Sequence, residues 1–222
     1  RVARALYREW FVEFRFPGHA KVRFIDSSLG RIPERWLVGP LGWGCHSLED
    51  GDWIETKDQG GSDFRLLQVS NIGVGKFVET GNFRWISEDT FTRLRCTEIV
   101  EGDILVSRMP DPIGRAWLVP VMPWRMVTAV DVAIVRPDAE RFNRHFCLWQ
   151  LNSEGYLAAV GQKATGTTRA RVPRSGLAAM PTLFPPIELQ RRFAATVREL
   201  TCLAETLSRA TGTLRRTREL LL

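Results

Sequence analysis

The chain is poor in the residues that build metal and redox sites. Its four cysteines, Cys45, Cys96, Cys147 and Cys202, form no Cys-x-x-Cys pair, and its three histidines are scattered. That spacing argues against a zinc framework and against a disulfide scaffold. Packing cysteines in a reducing, cytoplasmic setting are the expectation. No uninterrupted apolar run is long enough to cross a bilayer, so no membrane partner is expected. Catalytic signatures are equally thin. Asn71 to Phe77 carries Gly-x-Gly-Lys but lacks the earlier glycine and the following hydroxyl of a phosphate loop. There is no Gly-x-Ser-x-Gly elbow, no His pair at zinc-helix spacing, and no Asn-Pro-Pro-aromatic or Asp-Pro-Pro-aromatic run. Pro110-Asp111 and Pro137-Asp138-Ala139-Glu140 resemble parts of a metal nuclease, but the only Glu-x-Lys, Glu55 to Lys57, lies upstream of both. No catalytic residue, metal ligand or cofactor is assigned on these grounds.

Lysine is also scarce. Lys21, Lys57, Lys76 and Lys163 are the only four, so arginine supplies most of the 31 cationic side chains behind a formal charge of +6. Arginine makes two-pronged bonds to phosphate and to guanine edges, which suits nucleic acid, with a merely basic surface as the equal alternative on charge alone. A hydrophobic fraction of 44% with eight tryptophans indicates a packed globular protein.

The tail is the most regular stretch. After Pro185-Pro186 no proline occurs and Gly212 is the only glycine. Phe193, Leu200, Leu207, Leu214 and Leu221 then fall seven residues apart. Val197, Ala204 and Thr211 fill the interleaved positions, and Arg218 closes the series. This pattern predicts a long helix with one narrow apolar stripe, suited to a single partner helix. At about 1.5 Å per residue it would span on the order of 50 Å. Arg191, Arg192, Arg198, Arg209, Arg215 and Arg216 lie on its other faces.

The chain opens on Arg1, already inside a helical pattern, as expected of a stretch from a longer polypeptide or of a processed one. Val2, Leu6, Trp10 and Phe14 recur at steps of four, with Ala5 and Phe11 beside them. Phe16-Pro17-Gly18 is the expected stop, and His19 to Arg35 reads as a linker with turns at Leu29-Gly30 and Ile32-Pro33. From Trp36 to about Leu183, short apolar runs alternate with turns at Asp50-Gly51, Gly60-Gly61, Ile72-Gly73, Glu101-Gly102 and Asp111-Pro112. Strands are expected at Leu66 to Val69, Ile104 to Val106, Ala116 to Val119 and Val130 to Val135. Arg141 to Asn152 reads as a helix presenting Phe142, Phe146 and Trp149. The expected fold is α+β: a twisted, mostly antiparallel sheet curled toward a barrel, carrying a long C-terminal coiled-coil helix.

Two loops carry binding chemistry. Lys163-Ala164-Thr165-Gly166-Thr167-Thr168-Arg169-Ala170-Arg171 combines hydroxyls, one glycine and three cations, which suit phosphate oxygens and base edges. Its plain alternative is a polar connection to the last helix. In Glu55 to Asp63, Gln59 could pair with adenine and Lys57 with phosphate or guanine, with Ser62 beside them, or the loop could simply be a solvated hairpin tip. Asp103 sits beside a turn glycine and is expected to bond local amides. Arg108 follows the Ile104 to Val106 strand and is expected to emerge on the functional surface.

Several stretches, taken in order, resemble half of a specificity subunit of the type I restriction–modification enzymes. Leu6-Tyr7-Arg8-Glu9-Trp10-Phe11-Val12-Glu13-Phe14-Arg15-Phe16-Pro17-Gly18-His19 is similar to the end of that family's central conserved helix. Leu29-Gly30-Arg31-Ile32-Pro33-Glu34-Arg35-Trp36 resembles the start of a target-recognition domain. Gln68-Val69-Ser70-Asn71-Ile72, Arg84-Trp85-Ile86-Ser87 and Gly102-Asp103-Ile104-Leu105-Val106-Ser107-Arg108 follow in the family's order. So do Gly166-Thr167-Thr168-Arg169-Ala170-Arg171-Val172 and Pro185-Pro186-Ile187-Glu188-Leu189-Gln190-Arg191-Arg192. Met109-Pro110-Asp111-Pro112 departs from the short glycine usual there, and one recognition domain stands where the full family pattern has two.

The resemblance implies three parts: residues 1–35 as a helix end and linker, 36–184 as the recognition domain, and 185–222 as the conserved helix. It implies double-stranded DNA as ligand, DNA adenine methyltransferase subunits that supply the S-adenosylmethionine site, and a separate restriction and translocation subunit. The chain itself would do no chemistry and hold no cofactor. Lys57, Gln59, Ser62, Arg108, Lys163, Thr165, Thr167, Thr168, Arg169 and Arg171 are the expected DNA contacts. Phe193, Val197, Leu200, Leu207, Leu214 and Leu221 are the expected helix-pairing positions, in this chain or between two copies. The competing expectations are a metal-dependent DNA-cleaving enzyme using Asp103, Asp111 or Asp138, and a helix-mediated assembly module without DNA.

Overall fold

The computed structural model describes residues 2–166 and 169–200. The chain opens with α1 (Val2–Phe11), followed by a hairpin of β1 (Phe24–Ser27) and β2 (Gly30–Pro33). Then come β3 (Leu37–Pro40), β4 (Cys45–Asp50), β5 (Phe64–Leu67), β6 (Trp85–Ile86) and α2 (Glu88–Leu94). The strands β7 (Ile104–Ser107), β8 (Ala116–Leu118), β9 (Arg125–Thr128) and β10 (Val132–Pro137) follow. Helices α3 (Arg144–Leu151), α4 (Glu154–Gln162) and α5 (Arg174–Ala178), then β11 (Pro181–Phe184), lead to a last described helix, α6, at residues 187–200.

The centre is a four-stranded antiparallel sheet in the order β4-β10-β7-β8. Side chains on a strand alternate between faces, and here the two faces enter two cores. Ala133 and Val135 of β10, with Ile104 and Val106 of β7, point into the larger core beneath the helices. Val132, Ile134 and Leu105 point the other way, onto Leu67, Ile72, Trp117 and Met126. This two-sided burial explains why β7 and β10 read as continuous apolar runs.

A second sheet, β6-β5-β9, pairs β5 with β9 in parallel and with β6 in antiparallel fashion. Beside it, Arg65 is 1% exposed in its side chain. Its guanidinium stands 4.6 Å from the Phe83 ring centre and 4.4 Å from that of Trp124, and it bonds Glu79 at 2.7 Å. The strand pairs β1-β2 and β3-β11 complete the pairing. The described residues thus form a mixed α+β fold of four small sheets with one parallel pair, and no closed barrel.

Residues 19–35 differ from the expected linker. They hold the β1-β2 hairpin, in which the Ser27 hydroxyl donates to the Gly30 carbonyl at 2.6 Å. Its strands are mostly exposed, so the chain shows no apolar alternation there. Helix α1 also ends earlier than expected, at Phe11, and Phe14 takes a left-handed backbone with φ 56°. Helix α3 begins at Arg144 rather than Arg141 because the Asn143 side chain caps it, accepting from the amides of His145 and Phe146.

The last helix starts inside the main core. Phe193 is fully buried, its ring centre 5.1 Å from that of Phe11, 5.9 Å from Tyr7 and 6.0 Å from Trp10. Val197 joins the same core and Leu200 is half-buried. Phe193 thus packs onto α1 and α3 of its own chain, the first of the two pairings expected for it. Gln190 fixes the start of α6: its side-chain amide donates to the Arg141 and Pro185 carbonyls at 3.0 and 2.7 Å and accepts from the Asn143 amide at 2.9 Å. The core is thus continuous across both expected boundaries, near residues 35 and 184. The expected pairing positions Leu207, Leu214 and Leu221 lie outside the described residues. The three described cysteines are unbonded, and burial raises each thiol, Cys45 and Cys96 to about 12. They are inert packing groups.

Candidate nucleic-acid interface

Strand pairing brings separate loops to one edge of the central sheet. Asp50, the last residue of β4, pairs with Ala133 near the start of β10, and Ser107, the last of β7, pairs with Val132. The chain leaving β4, the chain leaving β7 and the turn entering β10 therefore meet. Gly51 permits this: a Cβ there would fall 2.3 Å from the Ala129 carbonyl oxygen, and its amide donates to the Val132 carbonyl at 2.9 Å.

The basic loop joins the same edge. Thr165 and Arg171 exchange two backbone hydrogen bonds of 2.9 Å, closing a short tip between them. Gly166 in that tip has φ +102°, and a Cβ on it would meet the Arg169 carbonyl oxygen at 2.7 Å. The Val172 amide then donates to the Arg108 carbonyl at 3.1 Å, tying the loop base to the end of β7.

Arg108 is the hub beneath this edge. Its side chain is 2% exposed, pairs with Asp50 at 3.0 Å and donates to the Val130 carbonyl. Its backbone amide donates to the Asp131 carbonyl at 2.9 Å. Burial lowers its pKa, with Arg171 and Arg174 adding to that effect while Asp50 and Asp131 oppose it. Arginine remains charged regardless. Arg171 pairs with Asp131 at 3.0 Å, and Arg174 reaches Asp50 at 3.5 Å and the Leu48 carbonyl at 3.4 Å. Three guanidiniums against two carboxylates leave a formal +1 at the loop base, and exposed Lys163 and Arg169 raise it to +3.

The expected contacts divide accordingly. Lys163, Thr165 and Arg169 are exposed and Arg171 is half-buried, all on this edge. Thr167 and Thr168 lie outside the described residues. Arg108 is corrected: it is interior and paired, because Asp50, distant in sequence, closes over it. Lys57 and Ser62 are exposed and Gln59 is half-buried, but their loop packs toward β6 and α2. Asp58 pairs with Arg93 at 2.8 Å, and the Gly60 amide bonds the Trp85 carbonyl at 2.8 Å. Lys57 pairs with Glu55 at 2.6 Å, a hydrogen bond that raises the ammonium pKa and lowers the carboxyl's. No described contact joins these three residues to the 163–174 segment.

Sequence reasoning missed Arg174, Asp50 and Asp131. Their signal was a charge at a strand end or helix start, too common to single out.

Two of the acidic candidates, Asp103 and Asp138, have structural partners. Asp103 is buried, receives Arg136 at 2.9 and 3.0 Å and accepts the Val100 amide at 3.1 Å. Asp138 accepts the Glu140 amide at 3.0 Å. Among the described residues, no three His, Cys, Asp or Glu side chains gather as metal ligands would.

No protein-family model and no curated protein matches the chain. Solved structures do. The S subunit of a type I restriction–modification system from M. genitalium aligns over 78% of this chain and 41% of its own, with 15% identity and a TM-score of 0.52. The HsdS subunit of Thermoanaerobacter tengcongensis aligns over 95% of this chain and 48% of its own, with 20% identity and a TM-score of 0.57. The fold is that of a type I specificity subunit. A chain from a structure of complex assembly and conformational transition in a type I R-M system aligns over 93% of this chain and 46% of its own, at 20% identity and a TM-score of 0.61. This chain therefore spans about half the length of the first two solved chains that it matches. Among the described residues, no helix is long and apolar enough to cross a membrane.

Proposed function

We propose that this chain is the sequence-reading part of a type I restriction–modification specificity subunit. Residues 36–184 form the recognition unit, which reads one part of a split double-stranded DNA target. Base contacts come from the loop edge around residues 163–174, and other arginines rest on phosphates and set register. The helix beginning at residue 187 acts as a spacer. If it runs the expected length of about 50 Å, it covers roughly one and a half turns of B-DNA. Adenine methyltransferase subunits supply the S-adenosylmethionine site and flip the target base. A restriction and translocation subunit cuts, and this chain performs no chemical step. Pairing of two copies through Leu200, Leu207, Leu214 and Leu221 would restore a two-part reader. The carrying observation is the basic loop base of Lys163, Thr165, Arg169 and Arg171, built onto a specificity-subunit fold.

Titration of a labelled duplex at several salt concentrations tests this reading. We expect log affinity to fall linearly with log salt. If Arg169 holds a phosphate, Arg169→Ala weakens binding to every duplex and flattens the slope by about 0.9. If it reads a guanine, the loss is about 1–3 kcal/mol on the cognate duplex alone. Absence of salt-sensitive DNA binding by the wild-type protein contradicts the proposal.

A further inference from the structure

The loop base contains more charge than its hydrogen bonds satisfy. Arg171 Nε and Asp131 Oδ1 stand 3.0 Å apart, yet both are buried atoms without an aligned hydrogen bond. Arg108 Nε and Asp50 Oδ1 are also buried without an aligned hydrogen bond, although Arg108 Nη2 stands 3.0 Å from that oxygen. The Arg171 side chain is 40% exposed although its Nε is not, so its exposure lies on the rest of the side chain. The ion pair is through Nε, and no hydrogen bond among the described residues engages the two terminal nitrogens of Arg171. Asp131 therefore holds the guanidinium from its inner side, and Arg108 in turn holds the carbonyls of Val130 and Asp131, one on each side of the Asp131 Cα.

This geometry suits one ligand better than another. A guanine edge offers two acceptors, O6 and N7, that match two N–H groups of a guanidinium held in one orientation. A backbone phosphate is anionic, and close approach to Arg171 would also bring it toward the Asp131 carboxylate, at a repulsive cost. Resting on the DNA-reading role proposed above, we infer that Arg171 reads a guanine base, and that Asp131 is the positioning residue that aims it and repels phosphate. Asp131 thereby raises the ratio of specific to non-specific binding. Removing its charge makes the edge more cationic, which strengthens contact with any DNA while the arginine loses its fixed aim.

The test is selection from a random duplex pool by the protein together with its modification subunits, run in parallel for wild type, Asp131→Asn and Arg171→Lys. Both variants are first checked for wild-type thermal unfolding. Binding is then measured on the duplex the wild type selects, on that duplex with single G·C pairs replaced by A·T, and on a scrambled duplex. We expect Arg171→Lys to lose preference at one G·C pair, by about tenfold or more. Asp131→Asn should lose preference at that same pair and bind the scrambled duplex several-fold more tightly, with a steeper salt dependence. A wild-type motif kept intact by both variants overturns this inference but leaves the DNA-reading role standing. Uniform weakening by Arg171→Lys on all three kinds of duplex also overturns it, by making Arg171 a phosphate contact. A wild-type protein that enriches no sequence overturns the role itself. Should Asp131→Asn unfold, the single-pair readout of Arg171→Lys still decides.

Discussion

Arg108→Met should damage stability before it damages recognition. The substitution removes a guanidinium that is 2% exposed and leaves a side chain of similar reach. Two partners lose it: the Asp50 carboxylate at 3.0 Å and the Val130 carbonyl. Breaking a buried ion pair costs about 3–5 kcal/mol when the remaining charge is sealed from water. Asp50 is not sealed. Its side chain is 35% exposed and Arg174 still stands at 3.5 Å, so that part of the loss falls at or below the lower end. The orphaned carbonyl adds about 1 kcal/mol or more. The backbone bonds of residue 108 to Asp131 and Val172 survive the change. We therefore expect a net loss of about 3 kcal/mol, or about 6–12 °C in midpoint for a protein of this size. Urea unfolding followed by circular dichroism measures it. A loss under about 1 kcal/mol together with selectively abolished DNA binding would refute the reasoning and return Arg108 to the reading surface.

Other expectations follow from single contacts. Phe193→Ala empties a site between the rings of Tyr7, Phe11, Trp10 and Phe146 and should cost about 3–5 kcal/mol in the same unfolding assay. Unchanged stability with a change in sedimentation would instead place Phe193 at a contact between copies. Asp52 is partly buried and accepts the Thr97 amide, and burial, the largest influence, raises its pKa to about 6 from an ordinary 3.8. An acid with a raised folded pKa binds more protons folded than unfolded, so it costs stability as pH climbs from about 4 to 6. Asp52→Asn should therefore stabilise the protein at pH 7–8 by about 1 kcal/mol, after discounting for solvent access, and change little at pH 4. Greater stability of the wild type at pH 8 would contradict that sign.

The parts legible in the sequence are those whose cause is local. Ile104 to Val106 reads as a strand because β7 is apolar on both faces, and the core around it explains why. The α3 helix is visible in Phe142 and Phe146, although its first turn is set by the Asn143 cap. The hairpin at residues 24–33 is hidden because its residues alternate in direction without alternating in polarity. Non-local causes defeat sequence reading at the site. Arg108 looks exposed until Asp50 is brought over it. Arg171 looks like a free cation until Asp131 meets its inner side. Phe193 satisfies a seven-residue stripe as well as it satisfies the core, and the aromatic face of α1 that it meets has no signal near it in sequence. Arg174 gave no local signal, since its role depends on strand β4 ending beside it.

The central claim is that this chain reads DNA sequence across a fixed distance. Selection of bound duplexes from random DNA, by the protein with its methyltransferase subunits, addresses that claim most directly. The account predicts short defined elements separated by a constant stretch of unspecified bases, with a spacing of about one and a half helical turns or less. Recovered duplexes with no common element, or a motif without a fixed gap, would contradict it.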